Sequence, residues 1–247
     1  PKVGRGAPSP SAPLAAILRS MSTVIAPPAP VRLPVLGTSD QFPVRRVYCV
    51  GRNYADHIVE MGGDPDREPP FFFQKNPDDL WTAARVPYPP STANLHHEAE
   101  LAIALHAGGE DIAESKALGC VWGAAPAIDL TRRDVQDEAK AMRRPWTAAK
   151  AFRASAPIGP LTPVEDAASL ARGAIRLSVN GELRQNGDLG QMVWKIPEMI
   201  AALSRLFTLA PGDVILTGTP AGVGQVGPGD RIACSVEGAG AFEVTIV

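Results

Sequence analysis

Cysteine, runs of basic residues and long apolar stretches are all scarce in this 247-residue chain, and each scarcity removes a class of protein. The three cysteines, Cys49, Cys120 and Cys234, are odd in number and widely scattered, with no CxxC. They read as buried thiols in a reducing, cytoplasmic compartment, against a disulfide framework or a thiolate zinc site. A net charge of −2 without a long basic run argues against a nucleic-acid surface. No apolar run reaches the roughly 20 residues that a membrane-spanning helix needs.

Proline and glycine, by contrast, are plentiful at 25 and 23 residues, and they divide the chain into many short elements. Residues 1–31 are rich in proline, alanine and serine. Met21 opens "MSTVIAPPAPVRLPV" as a native start would, so residues 1–20 are expected to be a non-native or disordered leader. "APLAAIL" within them is too short and too lightly flanked for a signal peptide. Residues 21–43 are expected to pack on the core as an extension, and 44–247 to form the main domain.

Alternation and β-branched content mark strands in "VRRVYCVG", "ELAIAL", "AIRLSV", "GDVILTG", "DRIACSV" and "AFEVTIV". Asn180-Gly181 between "AIRLSV" and "ELRQNG" is a hairpin signal. Helical patterns are fewer: "YADHIVEMG", "RRDVQDEAKAM" and "IPEMIAALSRLF", with "EDAASLARGA" as a surface helix and connection. Strands do not alternate regularly with helices, which disfavours a doubly wound parallel sheet. The expected class is α+β, mostly β, with a few short helices.

The chemistry begins in "NLHHEAELAIAL". If Glu98 and Glu100 are both strand residues, they point to one face roughly 6–7 Å apart. Two carboxylates at that distance repel by about 2–3 kcal/mol at an effective dielectric near 20, a cost that a cation between them removes. An isolated ExE is more often a solvated strand edge. Asp129, ending the apolar run "AAPAID", offers a third oxygen ligand, and three carboxylates without a thiol suit a hard cation such as Mg²⁺ or Mn²⁺. His96 and His97 are adjacent on a strand and so face opposite ways. They make no HExxH pattern, and are expected to support the site by packing or hydrogen bonding.

Six fragments in order, "CVGRNYADHIVEMG", "FFFQK", "HHEAEL", "DLTRRDVQ", "WTAAKAF" and "LTGTPAGVG", resemble the fumarylacetoacetate hydrolase family, in particular its short bacterial acylpyruvate and fumarylpyruvate hydrolases. The resemblance implies a mixed β-sandwich roll for residues 44–247, usually a homodimer, with one Mg²⁺ or Mn²⁺ per chain. It implies Glu98, Glu100 and Asp129 as metal ligands, His57 and Glu60 as the catalytic pair of a lid helix, and Lys150, Arg133, Gln136 and Thr219 as groups lining the substrate site.

The residues admit that chemistry. His57 and Glu60, three apart on a helix, share a face, and a carboxylate that accepts the ring N–H raises the basicity of the imidazole. Gly62-Gly63 and the nearby prolines of "GGDPDREPP" would hinge a lid over bound substrate. Lys150, in the apolar setting "TAAKAF", would stabilise developing negative charge. "TGTPAGVG" lacks the GK[ST] of a phosphate loop and reads as a tight turn whose amides and Thr219 hydroxyl meet a substrate carboxylate. Phe71, Phe72 and Phe73 are expected in the core. Gln191 or Met192 of "GDLGQMVWKI" is placed at the far end of the substrate.

These parts imply hydrolytic C–C cleavage of a 2,4-dioxo acid, with fumarylpyruvate giving fumarate and pyruvate. Oxaloacetate decarboxylation or tautomerisation, or another isomerase or dehydratase reaction, is the alternative within the same site. A non-catalytic β-sandwich binding protein with a structural cation is the alternative from another class.

Overall fold

The computed structural model describes residues 23–60 and 68–247. The expected leader at 1–20 and the Gly62-Gly63 hinge lie outside the described residues. Two larger sheets carry the architecture. One has six strands in the order Thr162–Pro163, Val121–Ile128, Ala99–Leu105, Asp213–Leu216, Arg46–Gly51 and Phe71–Lys75. The other has five, in the order Glu182–Asp188, Ala174–Val179, Arg231–Val236, Gly240–Ile246 and Arg85–Val86. Each sheet is antiparallel except for one parallel pair, Asp213–Leu216 on Arg46–Gly51 and Gly240–Ile246 on Arg85–Val86. The mostly-β class is the one the strand pattern predicts, and the mixed sheets are what the family resemblance implies.

The central strand Ala99–Leu105 is buried on both faces, and its alternation separates two cores. Leu101, Ile103 and Leu105 join Leu177, Ile175, Cys234 and Val244 in a core that both sheets share. Ala102 and Ala104 face the other way, with Ala125, Ala127, Val214 and Leu216, beneath Leu33 and Phe42 of a two-stranded hairpin. Small residues on that face let the hairpin approach closely. Glu100 lies two residues before Ala102, and Asp129 two after Ala127, so both stand where the alanine-lined face runs out. All three cysteines are buried and unpaired.

Asn180-Gly181 closes the Ala174–Val179/Glu182–Asp188 hairpin with φ of 53° and 82°, the left-handed pair of a type I′ turn. The helical patterns settle as Ala55–Glu60, Arg133–Ala141 and Ile196–Ser204, whereas Ala167–Ala171 is a 3-10 turn.

Two expectations require correction. Glu98 is not in a strand: it is the single residue between Leu95–His97, which belongs to a small three-stranded sheet, and Ala99–Leu105. The chain changes sheets at Glu98, so convergence with Glu100 comes from that junction. Phe71, Phe72 and Phe73 are half-buried, because Phe71–Lys75 is the edge strand of its sheet.

Candidate functional site

Glu98, Glu100 and Asp129 meet at the ends of the two central strands, paired in register Glu100 to Ala127. A carboxylate oxygen from each lies within 4.8 Å of the others, and all three residues are buried. The Asp129 amide donates to the Glu98 carbonyl at 2.8 Å, fixing the strand end to the sheet junction.

Three cations surround them. Lys150 Nζ donates to Glu98 Oε2 (2.8 Å), Asp129 Oδ2 (2.6 Å) and Thr131 Oγ1 (2.6 Å), spending all three ammonium hydrogens. Arg133 Nη2 donates to Glu98 Oε1 at 2.5 Å and Nη1 to Gln136 Oε1 at 2.6 Å, so Gln136 helps fix the guanidinium. Lys75, to which the sequence pattern assigns nothing, places Nζ 2.8 Å from Asp129 Oδ1. That approach is outside hydrogen-bonding direction, which leaves Asp129 Oδ1 with a countercharge but no donor. Lys75 also donates to Ser155 Oγ at 3.0 Å and, closely, to the Lys150 carbonyl.

The three carboxylates are not equivalent. Burial works to raise the Glu98 carboxyl, but Lys150, Arg133 and His57 overcome it and hold it well below the usual carboxylate range. Burial, followed by the Asp129 and Glu98 carboxylates, pushes Glu100 well above that range. Its hydrogen-bond donor is the Gly218 amide at 2.7 Å, and no basic side chain among the described residues forms an ion pair with it. A buried carboxylate beside two others, and an Asp129 oxygen without a donor, are what a hard divalent cation would resolve. The donor set fits Mg²⁺ or Mn²⁺, with Glu98, Glu100 and Asp129 as the residues that would hold it.

His57 and Glu60 sit on the Ala55–Glu60 helix, with Nδ1 3.0 Å from Glu60 Oε2. The other Glu60 oxygen accepts the Gly222 amide at 3.0 Å. Gly222 has φ +96°, and a Cβ there would fall 2.1 Å from the Arg184 carbonyl oxygen, so only glycine fits. The loop amides expected to meet a substrate carboxylate are therefore turned on the protein's own acids, Gly218 to Glu100 and Gly222 to Glu60. Thr219 Oγ1 accepts from Gln185 Nε2 at 2.7 Å.

Gln185 has no solvent exposure and joins three parts of the site. Its carbonyl oxygen accepts from the Ala99 amide (2.9 Å) and contacts His97 Nδ1 (3.0 Å), while Nε2 also reaches the Pro220 carbonyl (2.8 Å). His96 instead receives Arg133 Nε at 3.3 Å, and burial, then the Arg133 charge, lowers its imidazole to about 4. Both histidines thus serve as supports, as expected. Gln185 carried no local signal, since "ELRQNG" reads as a hairpin arm whatever the glutamine does.

One cavity brings together His57, the three carboxylates, Arg133, Gln136, Lys150 and Thr219. Phe73 and Trp146 also line it, with ring centroids 6.0 Å apart, so the edge strand supplies an apolar wall where a core position was expected. Gln191 does not line it. The Gln191 amide oxygen caps the Asp188 N–H at 2.8 Å, and Met192 is buried in the shared core. Local capping decided that placement.

The fold and site together define a mostly-β domain in which His57 and three buried carboxylates that could hold a cation line one cavity. Residues 46–247 match the family described as fumarylacetoacetate (FAA) hydrolase, C-terminal, and the chain belongs to that family. It is similar to a solved structure of fumarylpyruvate hydrolase from Pseudomonas aeruginosa, in complex with Mn²⁺ and pyruvate, at 48% identity and TM-score 0.89, covering 92% of this chain and 99% of that one. It is 42% identical over 194 residues to the mitochondrial oxaloacetate tautomerase of Bos taurus, covering 78% of this chain and 88% of the relative. Against the mitochondrial oxaloacetate decarboxylase of Dictyostelium discoideum it is 39% identical over 196 residues, covering 78% and 89%.

Proposed function

We propose that this enzyme hydrolyses the C–C bond of a 2,4-dioxo acid, with fumarylpyruvate the favoured substrate. The observation that carries the reading is the His57–Glu60 pair, in which Gly222 anchors Glu60 and His57 lines one cavity with the carboxylate triad. Decarboxylation of an oxo acid needs less: a site for the 2-oxo acid end and a way to stabilise negative charge. Tautomerisation adds a base for the C3 proton, and hydrolysis a base that activates water, so the pair favours these two over decarboxylation. Similarity to a fumarylpyruvate hydrolase along nearly the whole chain supports the same choice.

In this reading Glu98, Glu100 and Asp129 hold Mg²⁺ or Mn²⁺, which when bound supplies Lewis-acid polarisation of the 2-oxo acid end. His57 takes a proton from water at its free ring nitrogen, while Glu60 fixes the tautomer and bears the developing imidazolium charge. The water oxygen bonds to C4, the C3–C4 bond breaks, and its electron pair stays with the three-carbon fragment. The proton that His57 took from water returns to C3, directly or through water, to complete pyruvate, and the other fragment leaves as fumarate. Lys150 can offer its ammonium to the oxo acid by exchanging one of its carboxylate hydrogen bonds. Phe73 and Trp146 hold the carbon chain and limit water.

A second reading, oxaloacetate tautomerisation or decarboxylation, has the curated relatives in its favour. Following the ultraviolet band of the dioxo enolate across a panel of acylpyruvates, with oxaloacetate in parallel, separates the two. Fumarylpyruvate should be cleaved and lose its turnover in His57→Ala. Turnover of oxaloacetate alone by the wild type overturns the hydrolase assignment.

A further inference from the structure

The cations at the carboxylate triad are already committed: Lys75 to Asp129, Lys150 to Glu98 and Asp129, Arg133 to Glu98. Two others line the same cavity, Arg52 and Lys140. Arg52 is exposed, and its guanidinium has no hydrogen bond or ion pair among the described residues. Its backbone has φ 55°, a left-handed conformation that non-glycine residues adopt at a cost and that gathers at functional sites. Gly51 before it is covered by Phe71, since a Cβ there would meet the ring at 2.0 Å. The turn at 51–52 thus delivers a free guanidinium to the cavity rim.

Lys140 stands nearby, half-buried, its Nζ 5.6 Å from the Trp146 ring centroid and 3.5 Å from a well-exposed Asp137 carboxylate. Burial, then Arg133 and more weakly Arg52, lowers its ammonium against the pull of Asp137. Positive charge therefore accumulates at the rim, with only Asp137 paired against it among the described residues. Glu68 shares an adjoining cleft with Arg52 but forms no ion pair with it.

We infer that Arg52, with Lys140 beside it, receives a carboxylate at the far end of the substrate and makes the site select dianionic over monoanionic oxo acids. The inference rests on the proposed docking of a 2-oxo acid end at the triad. A terminal carboxylate leaves water readily only for donors of matching charge that have no partner to give up. Arg52 offers a planar fork for two such bonds, and Lys140 adds a point charge. The committed cations could answer a second carboxylate only by exposing Glu98 or Asp129.

Calorimetry on the Mn²⁺-loaded protein tests this with 2-oxoheptanedioate and 2-oxoheptanoate, which have the same length and head and differ in the far carboxylate. Wild type should bind the diacid about tenfold more tightly, a ratio that Arg52→Met reduces to near unity and Arg52→Lys partly restores. Circular dichroism checks that each variant is folded. No preference in the wild type, no binding of the diacid, or a ratio unchanged in Arg52→Met overturns the inference. Turnover is not needed, so the two readings fail separately. A wild type that keeps the ratio but cleaves no dioxo acid defeats the reaction assignment alone. One that cleaves fumarylpyruvate without the ratio defeats the Arg52 assignment alone.

Discussion

Lys75 and Asp129 form an ion pair in which neither side chain has any solvent exposure. Lys75 therefore acts on the site from within the interior, through Asp129 and through the backbone carbonyls of Lys150 and Leu130 that it also holds. Removing Lys75 leaves Asp129 with Lys150 as its one remaining countercharge and frees the buried acceptors that Lys75 holds. Lys75→Met should destabilise the protein by about 1–3 kcal/mol in urea unfolding. Combining it with Asp129→Asn should recover part of that loss, because the carboxylate that lost a countercharge is gone. Additive losses in the double variant would show that the pair is not coupled.

Glu100 has the opposite problem, a buried carboxylate beside two others with a single backbone donor. Glu100→Gln should raise the stability of the chelated, metal-free protein by about 1–2 kcal/mol, since like-charge repulsion and the cost of burying the charge both fall. The same variant should lose most of the thermal stabilisation that Mg²⁺ or Mn²⁺ gives the wild type. Scanning calorimetry with and without chelator reads both effects. A metal-free Glu100→Gln protein less stable than wild type contradicts this account of the site.

Gly222 joins the helix of His57 and Glu60 to the loop after Leu216 by a single amide. Gly222→Ala cannot be accommodated at φ +96° with the Arg184 carbonyl 2.1 Å from the new carbon, so the loop must move and release Glu60. Turnover of the cleaved dioxo acid should fall by about 10²-fold, near the low end of general-base contributions. Metal affinity should change little beside this, because Gly222 touches none of the triad. Equal losses in turnover and metal binding would point instead to collapse of the whole loop.

Gln185 satisfies two donors and two acceptors at once, all buried. Gln185→Leu should cost about 2–4 kcal/mol, the sum of a few buried groups left unpaired. Gln185→Glu should be no better, since an ionised carboxylate cannot donate to Thr219 and Pro220. Chemical unfolding of both variants checks this, and near-wild-type stability in either would remove Gln185 from its joining role.

Several features were legible locally because short-range geometry fixes them. HxxE spacing on a helix joins His57 to Glu60 wherever the helix packs, and Asn180-Gly181 closes its hairpin by backbone preference alone. ExE and the apolar run ending at Asp129 likewise announced a cluster of acids, although the sheet junction at Glu98 brings it about. The three phenylalanines went astray because the edge position of Phe71–Lys75 is decided by strand pairing distant in sequence, whereas Gln191 is taken up locally, by the cap it makes on Asp188 three residues before it.

The sequence by itself thus determined the element types, the acid cluster and the family, because periodicity and ordered motifs survive without knowledge of packing. Tertiary structure alone decided which charges are answered. Lys75 reaches Asp129, Gln185 reaches Ala99 and Thr219, and Arg52 is left without a partner among the described residues, through contacts between segments that local pattern does not relate. Electrostatic balance in a buried site depends on distance and desolvation, and both exist only once the chain has folded.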